Sequence, residues 1–294
     1  MRCCFTFLAA FLTLFAYPTH GRAEIADTKA QQEQYVRVSQ TEQGQPKNLE
    51  TAIVRFEGTP KTDFAGITVD LVGVVHIGGG DYYAQLDRRL AEYDVVLYEL
   101  VAPDGTRIRP EDLAGRRSLI ASMQSGMRDV LKLEYQLERI NYLAENFRHA
   151  DMSPEEFAED MARRGDSLPK MIARLFGASL AMQASGKSND LDLIRAFFSK
   201  DRAVMLRRAM AAQLADMEML NLGLDDADGE NTIIKGRNAK AMRILAEEVQ
   251  AGQKNIAIFY GAGHLPDMAE RLRTEFAMKA SDTIWLPAWN LQEL

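Results

Sequence analysis

"NIAIFYGAGHLPDMAERL", residues 255–272, starts as an apolar run, breaks at Gly261-Ala262-Gly263-His264 and continues with helical spacing. An apolar run of that length, closed by glycines, reads as a buried strand with a helix returning behind it. A second stretch is built the same way. "VDLVGVVHIGGGDYYAQLDRRL", residues 69–90, runs apolar, reaches Gly73 and His76, and passes into a helical pattern. Two strand–helix–strand halves, each bearing a GxxH break, predict an α/β fold with a mixed central sheet and flanking helices.

The surrounding sequence supports this layout. Residues 24–48 are polar and Gln-rich, and read as an arm or an edge strand. Residues 51–57, 67–76 and "DVVLYEL", 94–100, read as strands, with a helix at 81–92 between the last two. The final part repeats the alternation, with helices at 232–251 and 265–276 and strands at 255–260 and 282–287. Between the halves, residues 116–222 carry almost no strand signal. Met123, Met127, Val130, Leu137, Ile140, Ala144 and Phe147 recur at helical spacing, and Ser153-Pro154-Glu155-Glu156 is a helix start with Gly165 as its stop. Two further helical stretches are expected near 168–184 and 190–220. The expectation is a single domain, residues 24–294, split by a helical insertion at about 110–225. Ten of the 14 methionines fall in this insertion. Such methionines fill an irregular core more often than they line an apolar groove.

The N-terminus stands apart. Arg2 precedes an uncharged run of 14 residues, "CCFTFLAAFLTLFA", then Pro18 and small residues at Gly21 and Ala23. That is the pattern of a signal peptide over residues 1–23, too short for the roughly 20 apolar residues of a spanning helix. Its removal takes away both cysteines, Cys3 and Cys4, so no disulfide is expected in the mature chain. The expected location is outside the cytoplasm: the periplasm of a Gram-negative cell, otherwise secreted. A formal net charge of −7 argues against a nucleic-acid partner, which requires a basic face.

Four residues are the candidates for chemistry. In an open α/β sheet, ligands bind beyond the carboxyl ends of the strands, where His76 and His264 are expected. Small residues at Gly73, Gly261 and Gly263 permit close approach there. His264 also starts a helix, whose positive end disfavours imidazolium and keeps the neutral form that a base or metal ligand needs. Glu99 ends an apolar strand, where a carboxylate must be paired or put to use. Arg237 opens the helix leading into the second GxxH strand, placed to pair Glu99 or to polarise a carbonyl. Asn238 beside it reads as a helix-start residue. His149, with Asp151 nearby, reads as a capping or surface histidine at the end of a long helix. "GGGD", residues 78–81, lacks the Lys-Ser/Thr of a phosphate loop and reads as a turn and N-cap. "DDADGE", 225–230, fails the calcium-loop register because Lys235 falls at position 12.

"GVVHIGGGDYYAQLDRRLAEYDVVLYEL", "GRNAKAM" and "FYGAGHLPDM" together resemble the TraB, GumN and Tiki group, within a wider superfamily that includes erythromycin esterases and ChaN-like haem-binding lipoproteins. The resemblance covers roughly residues 67–102 and 230–290 and rests on Gly73 and His76, Glu99, Arg237 and Asn238, and Gly261 and His264. Val74 stands where the first motif commonly has threonine or serine. The resemblance implies a hydrolase of amide or ester bonds acting on a peptide or small molecule. Tiki-like members imply a metal-dependent peptidase, with His76, Glu99 and His264 as ligands of zinc, manganese or cobalt. The esterase relatives imply a histidine that activates water without metal. Other members imply non-catalytic binding of haem or a peptide, or a regulatory role in the cell envelope.

Overall fold

A computed structural model describes residues 34–107, 130–167, 201–215 and 231–292, with isolated positions between 169 and 199. The signal segment, Met123, Met127, most of the stretch expected as a helix at 168–184 and "DDADGE" lie outside the described residues; the described positions 169, 170, 173, 174 and 177 are helical.

The chain begins with β1 (Val36–Gln40), β2 (Pro46–Gly58), β3 (Thr68–Val74), the short β4 (Ile77–Gly78), α1 (Gly80–Leu90) and β5 (Val95–Tyr98). There follow β6 (Glu134–Tyr135), the single turn α2 (Gln136–Arg139), β7 (Phe147–His149), α3 (Pro154–Arg163) and α4 (Arg202–Ala215). A π-helical turn, Thr232–Gly236, runs directly into α5 (Arg237–Gln250). β8 (Asn255–Gly261), a 3-10 turn at Ala262–His264, α6 (Leu265–Thr274) and β9 (Met278–Asn290) complete it.

Seven strands form one mixed sheet in the order β1-β2-β3-β8-β5-β7, with β9 on the other edge of β2. The long β2 pairs with β1 along residues 46–51 and with β3 along 53–57, so both use the same edge in succession. β3, β8, β5 and β7 are parallel. The second GxxH strand therefore lies directly between the first and the strand that ends at Glu99.

Both faces of the parallel strands are covered, which is why they read as continuous apolar runs rather than alternating ones. On one face Val72, Val74, Ala257 and Phe259 pack with Tyr82, Tyr83 and Leu86 of α1 and Ala211 of α4. On the other, Leu71, Ile256 and Ile258 pack with Met242 and Leu245 of α5 and Leu265, Met268 and Leu272 of α6. The expected α/β class, mixed sheet and flanking helices are present. The expected edge strand is β1.

Several local readings need correction. Of the helix expected across residues 123–147, the described residues are helical at 130–131 and at the single turn 136–139, with strands at 134–135 and 147–149. Leu137, Ile140, Ala144 and Phe147 are spaced for a helix, yet Asn146 and Phe147 feed a parallel ladder with β5 that outweighs local periodicity. His149 accordingly ends a strand, not a long helix, and its side chain is buried. Asp81 lies inside α1, whose N-cap is Gly79. β9 is far longer than the expected 282–287, because β2 offers a full edge for it to pair along.

The helix start at Ser153 is as expected. Ser153 Oγ accepts from the Glu156 N–H, and Glu156 Oε2 accepts from the Ser153 N–H. Gly165, with φ +67°, follows the helix end. Two further contacts tie α3 to the start of α5: Lys240 Nζ donates to Glu156 Oε1 at 2.7 Å, and Thr232 donates to Asp160 Oδ2 at 2.9 Å. Replacing Ser153 with alanine should cost about 1 kcal/mol. Differential scanning calorimetry should register it as a melting point lower by about 2–4 °C.

Candidate active site

The carboxyl ends of β3, β8, β5 and β7 form one ridge, and each contributes a polar side chain to it. Glu99 is the first residue beyond β5. Its Oε2 accepts from the Gly261 N–H at 2.7 Å, and its Oε1 accepts from Arg237 Nη2 at 2.6 Å. A side chain at Gly261 would crowd this contact, and the Glu99 carboxylate would have to give by a few tenths of an ångström. A Cβ there would stand 3.2 Å from Glu99 Oε2 and 3.8 Å from both the His76 and His264 rings.

Arg237, the first residue of α5, is clamped from two sides. Besides Glu99 it grips Asp151 in a forked pair, Nε to Oδ1 at 2.9 Å and Nη2 to Oδ2 at 2.5 Å. Asp151 follows β7 and is fully buried, and its Oδ1 also accepts the Met152 N–H. One guanidinium thus joins the ends of two strands, with the geometry that lysine lacks.

His264 is buried and held at both nitrogens. Asn238 Nδ2 donates to the His264 carbonyl and to Asp267, which leaves Asn238 Oδ1 to accept from His264 Nδ1 at 2.7 Å. The hydrogen is therefore on Nδ1, and Nε2 carries a lone pair. Nε2 faces Arg237 Nη1 at 3.4 Å and Glu99 Oε1 at 3.6 Å. The Tyr260 ring stands edge-on to the imidazole, its hydroxyl donating to the Ala150 carbonyl.

His76 is the exposed member of the group. Its Nδ1 bonds Gln136 Oε1 at 2.9 Å, while Gln136 Nε2 donates to the Tyr142 hydroxyl. This fixes the same tautomer as in His264 and leaves His76 Nε2 with a lone pair and no hydrogen-bond partner among the described residues. Val74, in the position where the resembling family has a hydroxyl, is buried in the core. The orienting partner of His76 comes instead from Gln136, on α2.

The structure brings His76, Glu99, Arg237 and His264 together. Sequence reasoning missed the roles of Gln136, Tyr142 and Asn238, and gave Asp151 to the wrong neighbour. His149 points away from the cluster: its Nε2 donates to the Leu100 carbonyl at 2.5 Å and its Nδ1 faces Asp104. Among the described residues, no three His, Cys, Asp or Glu side chains are arranged to hold a metal ion. Arg237 explains this, since its full positive charge lies against both Glu99 Oε1 and His264 Nε2. As arranged, the donor set His76, Glu99 and His264 does not fit a three-ligand ion. No described helix is long and apolar enough to cross a membrane. Comparison of the chain with family models, with curated proteins and with solved structures gave no match.

The cluster polarises its members in opposite senses. Burial pushes the His264 imidazole down to about 4, Arg237 adding to the effect and Glu99 opposing it. Burial alone would raise Glu99, but His264, Arg237, His76 and the Gly261 N–H outweigh it and hold the carboxyl at about 2. At neutral pH the buried arrangement is carboxylate, guanidinium and neutral imidazole. Both shifts make acid destabilising. The unfolded chain takes up the His264 proton from about pH 6.5, the folded chain only near 4, so this contribution is lost as pH falls across that window. The Glu99 contribution, full above 4.5, is lost toward pH 2. Melting temperature should therefore fall from pH 7 to pH 4, and His264→Gln should flatten that part of the curve. Long-range nitrogen–proton NMR should show His264 neutral and protonated at Nδ1 at pH 5.5; an imidazolium spectrum there would contradict the assignment.

Proposed function

We propose that the protein is an exported hydrolase of the TraB, GumN and Tiki type that cleaves an amide or ester bond with a histidine-activated water. The observation that carries this reading is the exposed His76, oriented by Gln136 with Nε2 bare, beside the buried Glu99–Arg237–His264 cluster. The signal-like segment before residue 24 supports export, and the GxxH, glutamate and Arg-Asn order supports the family.

Water approaching His76 gives its proton to Nε2 while its oxygen adds to the substrate carbonyl carbon. Glu99 lies close enough to stabilise the imidazolium that forms. The carbonyl oxygen, now an anion, is met by Arg237, whose fork is pre-oriented by Asp151 and Glu99 and needs no reorganisation. Collapse of the tetrahedral intermediate breaks the bond to the leaving amine or alkoxide. That group recovers the proton from His76. His264 faces the third arm of Arg237 and keeps it from turning, with its own ring fixed by Asn238.

The test is hydrolysis of a peptide and ester panel by purified wild type and variants. His76→Ala, Glu99→Gln and Arg237→Lys should each lower kcat/KM by roughly a hundredfold or more. Paired substitutions should cost little beyond the worst single one, since the groups act as a unit. His149→Ala should stay within a few-fold of wild type. EDTA should leave turnover unchanged; loss on chelation with recovery on zinc, manganese or cobalt would return the metal reading. Unaltered turnover in His76→Ala would overturn the assignment.

A further inference from the structure

Beyond the outer edge of β7 lies a cavity of about 580 Å³ that the hydrolytic cluster does not use. Three of its walls are continuous with the cluster. Tyr98 precedes Glu99, His149 stands two residues before Asp151, and Lys240 is one helical turn after Arg237. The loop carrying Thr106 and Arg107 closes another side, Tyr98 donating its hydroxyl to the Thr106 carbonyl at 2.8 Å.

Two properties of this cavity point to the same kind of occupant. The first is the backbone. Among the described residues β7 is the last strand of the sheet, and its ladder with β5 uses the Asn146 carbonyl, both groups of Arg148 and the Ala150 N–H. The His149 N–H and C=O therefore face outward, on the cavity side, as a free template for an added strand. The second is charge. Arg148 is engaged by Glu247 and Glu248, and Lys240 by Glu156. Arg243, exposed on α5, and Arg107 line the same space, as does the exposed Asp104; neither arginine is within ion-pair distance of an acid among the described residues, and Arg243 acts on Glu156 only at longer range, behind Lys240. Arg107 spends one N–H on the Leu143 carbonyl. A guanidinium offers a fork matched to a carboxylate.

We propose that this cavity binds an acidic, extended peptide segment of the substrate. The segment's main chain pairs with the His149 edge, and a carboxylate side chain is taken by Arg243 with help from Arg107. The proposal rests on the reading of the adjoining cluster as an amide hydrolase, and it narrows the substrate class to peptides with an acidic residue beside the cleaved bond.

The experiment uses full-length His76→Ala protein, which leaves the cavity walls intact, and fluorescence anisotropy with labelled alanine hexapeptides bearing one glutamate at each position in turn. At least one glutamate peptide should bind saturably, about tenfold tighter than its glutamine counterpart. N-methylation of a single backbone nitrogen beside the glutamate should abolish that binding. Arg243→Gln should erase the preference, and Arg243→Glu should reverse it toward the matching lysine peptide. Both substitutions fall on an exposed position, and circular dichroism checks that the fold persists. Equal binding of glutamate and glutamine peptides, or a preference unchanged in Arg243→Glu, would overturn the proposal. Turnover by wild type separates the two readings. Selective binding without turnover supports the subsite and sinks the hydrolase, whereas turnover indifferent to the acidic residue sinks the subsite.

Discussion

One guanidinium organises the carboxyl ends of the parallel strands. Arg237 is nearly buried and bonds Asp151 and Glu99 together, so three charges sit where water hardly reaches. Isolated, each would cost several kcal/mol to bury. Paired, they are tolerable, and removing Arg237 would leave both acids buried without a counter-ion. The surplus negative charge is balanced in part by the Gly261 N–H, and His264 stays neutral instead of adding a second cation. That arrangement also makes the region a poor cradle for a metal ion, which would have to displace or face the arginine.

The scaffold around the cluster is built to hold α5 still. The π-helical turn widens the backbone just before Arg237, and Gly236 passes so close to Asp160 that a Cβ would meet its carboxylate at 2.6 Å. Asp160 is bonded by Thr232 from the turn and by Arg163 and Arg164 from its own helix. Wide helical turns of this kind often mark functional positions. Here the turn sets the phase at which Arg237 leaves the helix and points at both acids.

Much of this was readable in the sequence. The apolar runs before His76, Glu99 and His264 are buried on both faces, so their composition alone marks them as central strands. The helices behind them carry clear amphipathic spacing, and the clustered His76, Glu99 and His264 fall where such strands end. The rest was illegible for identifiable reasons. β7 is three residues long, too short for any periodicity, and its neighbours happen to repeat at helical spacing. Asp151 had no local mark separating it from other surface acids, and only the fold shows it fully buried. Asn238 and Gln136 act by fixing imidazole tautomers from other elements, an effect with no one-dimensional signature. Asn238 was marked by its place next to Arg237 in the resembling motif, but its hold on His264 was not. For Gln136 no sequence signal existed.

The Arg237 bridge also has a consequence in time. Glu99 and Asp151 leave the ribosome well before Arg237, and β8, which fills the gap between β3 and β5, comes later still. Until that last segment arrives, the nascent sheet has a missing middle strand and two carboxylates without a counter-ion. The cluster is thus completed only when β8 and the turn after it are made, and a chain stopped short of β8 would carry Glu99, Asp151 and His76 without His264.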